Sequence, residues 1–283
     1  MKKVAYLGLS ITVAGLLIGC GGGSGNDSGS TGSFLTGEPV AVTTPEQASN
    51  AMSSVTNLNS MGSSGITLSP TRQAAPSLAP VSESENCVDG GSYVISGEAT
   101  ETSADVTSTY NNCTQYGSTL DGTQHVKGSN DGTNVNLVMT MTNFTSSSSG
   151  ASSTMNMTVN YVANNSIPSL DMILNGTVSY SYTSPISDSG TAGYQNFRVV
   201  SQGTNSITID GDVSTTSTAH SCVDGTYHLE TTQTLVPSTS GFSSGQMIVN
   251  GATFDFHDNG TATVTFADGS TAVVTQGSEV VCN

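Results

Sequence analysis

Apolar and polar side chains alternate over much of the chain beyond residue 85. Val135, Leu137, Met139 and Met141 alternate with Asn136, Thr140 and Thr142. Met155, Met157, Val159 and Tyr161 alternate with Asn156, Thr158 and Asn160, and Val178, Tyr180 and Tyr182 with serines and threonines. A period of two places successive side chains on opposite faces of a strand, so each segment reads as a half-buried strand with one apolar face. Near the C-terminus the pattern tightens into a meander: Phe254 to His257, a turn at Asp258-Asn259-Gly260, Thr261 to Phe266, a turn at Asp268-Gly269, then Thr271 to Thr275. One segment has the other period. Ala48, Ala51, Met52, Val55 and Leu58 recur at helical spacing behind Thr44 as N-cap, Pro45 at the first helical position and Gln47 three residues after the cap. This predicts an amphipathic helix ending near Met61-Gly62, too short to be stable alone. The fold expected is mainly β: an antiparallel sheet curled into an open barrel or sandwich, with one N-terminal amphipathic helix packed on it.

A short motif punctuates the strands: Val88-Asp89-Gly90, Leu120-Asp121-Gly122, Leu174-Asn175-Gly176, Ile209-Asp210-Gly211, Val223-Asp224-Gly225 and Val249-Asn250-Gly251. Asp-Gly and Asn-Gly supply the positive φ angles that turns and bulges need, and the apolar residue before them is expected to face the core. The competing reading, calcium ligation, is disfavoured because half of the copies lack the further carboxylates of a six- to eight-oxygen cage.

At the N-terminus Lys2 and Lys3 precede the apolar run Val4 to Ile18, and Leu17-Ile18-Gly19-Cys20 closes it. The run is shorter than the ~20 residues of a spanning helix, and Gly21-Gly22-Gly23-Ser24-Gly25 after it does not continue a helix. The arrangement resembles the lipobox of bacterial lipoproteins. That resemblance implies that residues 1–19 are cleaved as a signal peptide, that Cys20 carries a diacylglycerol and a further acyl chain, and that the protein is lipid-anchored in the cell envelope. Gly21, rather than Asp, after Cys20 is compatible with the outer membrane of a two-membrane organism. The divisions that follow are a signal peptide (1–19), a Gly/Ser-rich tether (20–43), an amphipathic helix with a Pro-containing linker (44–84) and a β-domain (85–283). Signal, tether and repeated strand units together resemble poorly characterised bacterial envelope lipoproteins.

Loss of Lys2 and Lys3 would leave three basic residues, Arg72, Lys127 and Arg198, against 21 acidic ones, a net charge of −18. That balance excludes nucleic acid and other polyanions as direct partners. Besides Cys20 there are four cysteines, Cys87, Cys113, Cys222 and Cys282, an even number suited to two disulfides in an oxidising compartment. The near copies Cys87-Val88-Asp89-Gly90 and Cys222-Val223-Asp224-Gly225, each followed later by one further cysteine, favour Cys87 with Cys113 and Cys222 with Cys282. There is no Cys-x-x-Cys pair, and His125, His220, His228 and His257 are scattered, so neither a metal nor a cofactor is expected.

Candidate chemistry is thin. Gly241-Phe242-Ser243-Ser244-Gly245 matches the pattern of hydrolase nucleophile elbows but precedes a strand rather than a helix. Asp255 to Gly260 resembles the start of a calcium loop but has Phe266 where the bidentate glutamate belongs. His220 and His228 flank Cys222 without a third ligand. Asn112, Asn143, Asn156 and Asn175 each begin an Asn-x-Thr triplet, read as accidental in so Asn- and Thr-rich a chain. No catalytic residue is therefore expected. Met139, Met141, Met155 and Met157 fall on the inward faces of neighbouring strands and Met52 and Met61 on the helix; such adaptable side chains either fill a core or line a site for a hydrophobic ligand. The function expected is a non-catalytic binding or scaffold role at the membrane, with carriage of a hydrophobic ligand or lipid among those methionines as the alternative and surface adhesion as a second.

Overall fold

The computed structural model describes residues 33–52, 79–100, 102–164, 169–183, 187–203, 206–238, 241–277, 280 and 282. Fourteen strands follow in chain order: β1 (Ala79–Asn86), β2 (Ser92–Ala99), β3 (Ser103–Gln115), β4 (Ser118–Asn130), β5 (Asn134–Ser148), β6 (Ala151–Asn164), β7 (Ser169–Tyr182), β8 (Asp188–Gln202), β9 (Ile207–Ser217), β10 (Gly225–Ser238), β11 (Gly241–Val249), β12 (Ala252–Phe256), β13 (Thr261–Thr265) and β14 (Thr271–Thr275). Each pairs antiparallel with the next, giving among the described residues one fourteen-stranded sheet with β1 and β14 as its edges. This is the open curled antiparallel sheet that the alternation predicts, and the C-terminal meander has the turns expected of it.

One face of the sheet carries the core. Met155, Met157 and Val159 on β6 lie beside Met172, Leu174 and Val178 on β7, with Phe197 and Val199 on β8, Ile209 and Val213 on β9 and Tyr227 and Leu229 on β10, all buried in one continuous cluster. Burial thins toward β1: most residues of β2 to β4 are half-buried or exposed on both faces. The short strands β11 to β14 roll back on themselves. Gln276, just after β14 and 5% exposed, accepts the Phe242 N–H through Oε1 at 2.7 Å and donates Nε2 to the Phe242 carbonyl at 2.6 Å, so one side chain imitates a strand neighbour at the start of β11.

The helix α1 is described over 45–52; the rest of the predicted helix, including Val55, Leu58 and Met61, lies outside the described residues. Its start is as read from sequence: Gln47 N–H donates to Thr44 Oγ1 at 3.2 Å, while Gln47 Oε1 accepts from Thr43 rather than from the cap itself. Ala48, Ala51 and Met52 are buried in the same cluster as the strands.

Two boundaries differ from expectation. The tether drawn over 20–43 is bonded to the sheet from residue 33 onward, though most of its residues up to 41 stay exposed. Pro39 forms a parallel bridge with Thr226, Val40 N–H donates to the Thr226 carbonyl at 3.0 Å, and Val42 is buried. This segment fits because β11 ends at Val249 and leaves the first residues of β10 without a strand on that side. The linker drawn to residue 84 ends in a strand, since β1 begins at Ala79 and includes Pro80. An edge strand tolerates proline because one side of it has no ladder to complete.

Candidate functional site

All six copies of the Asp/Asn-Gly motif do the same thing. In each, the Asp or Asn side chain accepts a backbone N–H from a neighbouring strand or loop. Asp89 takes that of Tyr116 (3.0 Å), Asp121 that of Asn112 (3.0 Å), Asn175 that of Asn196 (2.8 Å), Asp210 that of Thr231 (2.8 Å), Asp224 that of Ser217 (2.5 Å) and Asn250 that of His228 (2.6 Å). For Asp121 and Asn175, and for Asn156 outside the motif, the need for such acceptors follows from the register. Pairing slips by an extra residue at Asn111-Asn112 opposite Asp121, at Thr142-Asn143 opposite Asn156, and at Gln195-Asn196 opposite Asn175. A bulge leaves an N–H without its ladder partner, and a short polar side chain opposite supplies one.

The bulged Asn112, Asn143 and Asn196 adopt left-handed φ of 47°, 46° and 50°, a region asparagine tolerates better than most residues. The glycines complete the device on the next strand. A Cβ on Gly122 would meet the Asn143 carbonyl oxygen at 2.1 Å, and one on Gly211 the Asn196 carbonyl oxygen at 2.4 Å. The result is a crease running across β3 to β9. Bulges bend strands and increase twist, which a sheet of fourteen strands needs in order to curl over its own core. The apolar residue of the motif faces inward at Leu174, Ile209, Val223 and Val249, but Val88 is 72% exposed, against expectation.

The Asn-x-Thr triplets now have a structural account. Asn112 and Asn143 are bulged residues, Asn156 Oδ1 accepts the Asn143 N–H at 2.7 Å, and Asn175 caps Asn196.

The densest polar cluster among the described residues lies where β8 begins and β9 ends. Asp188, 4% exposed, accepts through Oδ1 from Ser189 N–H (2.8 Å), Ala219 N–H (3.0 Å), Thr218 Oγ1 (3.0 Å) and Ser217 Oγ (3.2 Å). Burial pushes its pKa up, but the donors from Ala219, Thr218, Ser217 and Ser189 outweigh it and hold the carboxyl below the usual range. Nearby Asp224 goes the other way: partial burial, and then the Asp188 charge, push it up to about 6. Two carboxylates here are split by environment, one held ionised and one able to exchange a proton near neutrality. The Ser217 hydroxyl donates to Asp188 and accepts the His220 N–H at 2.6 Å, so its bonding is internal to the loop. The cluster anchors the loop carrying the 3-10 turn Ser221–Val223, with Cys222 in it.

The methionines come together as the pattern predicted. Met141 and Met157 are direct cross-strand partners, Met139 faces Val159, Phe144 faces Met155, and all four methionines are buried with Met52 of α1. Met172 and Met247 join them; neither carries a local pattern that marks it out from any other strand methionine. Both disulfides pair as read, Cys87 with Cys113 (Cα–Cα 5.3 Å) and Cys222 with Cys282 (5.5 Å). Cys20 lies outside the described residues.

The remaining motifs resolve into structure. Gly241 to Gly245 lies within β11, and Ser243 Oγ donates to the Val236 carbonyl at 3.2 Å. Asp255 to Gly260 is the β12–β13 hairpin, with Asn259 Oδ1 accepting from Thr261. His228 pairs with Asp212 at 2.6 Å. Among the described residues no group of three or more His, Cys, Asp or Glu is placed to hold a metal ion, and no helix is long and apolar enough to cross a membrane.

Compared with family models, with curated proteins and with solved structures, the chain has no significant match in any of the three.

Proposed function

We propose that this chain is an envelope protein held to a membrane through a lipid on Cys20, whose β-domain binds or scaffolds without catalysing a reaction. The observation that carries the reading is the agreement of two independent features. The Lys2-Lys3, apolar run and Leu17-Ile18-Gly19-Cys20 arrangement directs export, and all four remaining cysteines are joined in disulfides, the state that oxidising compartments sustain. The burial of Met52, Met139, Met141, Met155 and Met157 in one cluster supports a filled core over the alternative of a ligand carrier. The internal bonding of Ser217 and Asp188 supports a structural role for the most polar cluster.

The test is fractionation of cells making the full chain. The wild-type protein sediments with membranes and resists extraction by high salt, whereas Cys20→Ser becomes soluble. A Cys20→Ser protein that stays on membranes through a high-salt wash contradicts the anchor.

A further inference from the structure

Strands β5 to β9 present hydroxyls outward, on the side away from the core, in register. One row runs Thr145, Thr154, Ser179, Thr191 and Thr216, each the cross-strand partner of the next. A second lies two residues away along the same strands, from Ser147 on β5 to Thr218 just after β9. The strands that carry them are about 4.8 Å apart, and residues two apart along a strand about 6.7 Å. Their partners leave capacity over. Thr145 and Thr154 share one hydrogen bond at 3.0 Å and Ser179 and Thr191 one at 3.4 Å; a shared bond uses one of two hydrogens and one of four lone pairs. Ser179 and Ser181 are exposed, whereas the exposed Thr218 already gives its hydroxyl to Asp188 and accepts from Ser189. Residues 33–42 cover part of this side, where the Phe34 carbonyl lies against Gly193, and the rows begin one residue pair beyond that cover.

At the same end of the sheet stands an aromatic ring in an unusual setting. Tyr116, at the tip of the β3–β4 hairpin, is 89% exposed. It has φ 51° with Gly117 at 78°, a two-residue turn with both central residues left-handed, where Asn or Gly is the unstrained choice. Asp89 holds it there by accepting its N–H. A bulky residue kept in a left-handed conformation, with its ring in water, is a pointer to function. From Tyr116 the hairpin leads to Thr119, which pairs with Ser147 at the head of the second row.

We infer that this face binds an extended, uncharged glycan, the Tyr116 ring stacking on one sugar and the hydroxyl rows meeting the repeated hydroxyls of the others. Charge selects the class. The rows hold no charged residue across β5 to β9, the protein is strongly acidic, and the described cations Lys127 and Arg198 are each tied to an aspartate at 2.7 Å, so an anionic polymer meets repulsion and no free cation. A protein partner is less suited, since the rows offer none of the buried aromatic or arginine anchors that dominate such interfaces. The inference deepens the binding role proposed above, and it rests on that reading only for placing the face at an envelope surface.

The test is calorimetric titration of the full chain, purified in detergent, with chitohexaose, cellohexaose and mannohexaose, and with polygalacturonate as the anionic comparison. Binding to at least one neutral oligosaccharide, little changed by salt, is expected. Tyr116→Asn, which relieves the turn and keeps the fold, should weaken it by about tenfold, and the isosteric pair Thr154→Val with Thr191→Val by at least about threefold. Binding to none of the three, binding to polygalacturonate alone, or undiminished binding by both variants overturns the inference. Because the titration is made in detergent and does not depend on acylation, its failure leaves the Cys20 anchor standing, and loss of the anchor leaves the glycan result readable.

Discussion

Cys87-Val88-Asp89-Gly90 and Cys222-Val223-Asp224-Gly225 are three-quarters of the way to being one structure. Both cysteines form disulfides, both aspartates accept a backbone N–H from elsewhere, and both glycines have positive φ, 127° and 139°. The fourth property differs completely: Val88 is 72% exposed and Val223 fully buried. The difference comes from what lies over each copy. A Cβ on Gly90 would meet nothing within 4 Å, while one on Gly225 would strike the Glu38 carbonyl oxygen at 2.6 Å. Residues 36–40 run along the start of β10, and Asn50 of α1 reaches the Cys222 sulfur at 3.5 Å. A tetrapeptide therefore fixes its own hydrogen bonds and backbone angles, whereas its burial is conferred by segments far away in sequence.

The largest contrast expected between the copies is at the valines. Val223→Asp puts an unpaired carboxylate into a dry site, costing several kcal/mol against a total stability of about 5–15 kcal/mol, and should leave the domain unfolded or strongly destabilised in urea titrations. Val88→Asp should change stability by no more than about 0.5 kcal/mol. Similar losses for the two would mean that the N-terminal copy is covered as the C-terminal one is.

A smaller effect distinguishes the C-terminal copy by pH. The Asp224 pKa is raised in the folded chain to about 6, above its ordinary value near 4, so the fold is penalised for ionising it. Its contribution is in place below about 4, is lost as pH rises from there through about 6, and changes little above that. Asp188, held below the usual range, has the opposite sign: its contribution is in place above the ordinary value and is lost in stronger acid. Asp224→Asn keeps an acceptor, as Asn175 and Asn250 do in the other copies, and removes the charge. It should raise Tm slightly at pH 7.5 and by less at pH 4.5. The rise is small because Asp224 remains largely open to water. A loss of stability at pH 7.5 would show that its negative charge is needed.

Most of the fold was legible because alternation is local. The period-two runs around Met139, Met155 and Val178 each announce a strand, and Thr44-Pro45 and Gln47 announce a helix start. What escaped depends on partners. Pro80 argued for a linker, and only the edge position of β1 makes it acceptable. Residues 33–42 look like tether because their order comes from the first residues of β10, nearly two hundred residues on. The Asn-Gly and Asp-Gly copies were readable as positive-φ positions, but which N–H each one caps is a property of the register, so the crease was hidden. Asp188 gave no signal, since most of its donors arrive about thirty residues later at Ser217, Thr218 and Ala219. The methionine cluster was visible in the pattern of β5 and β6; the outward hydroxyl rows require the pairing of five strands at once.

The claim that the motif is a device for capping an N–H, whatever its surroundings, is tested most directly by amide hydrogen exchange at Tyr116 and Ser217, resolved by residue, in the wild-type chain and in Asp89→Ala and Asp224→Ala. Both amides should be protected in the wild type, and each substitution should speed exchange at its own partner while leaving the other unchanged. If Tyr116 or Ser217 exchanges as slowly after its acceptor is removed as before, the side chains are not the caps and the shared role of the two tetrapeptides is wrong.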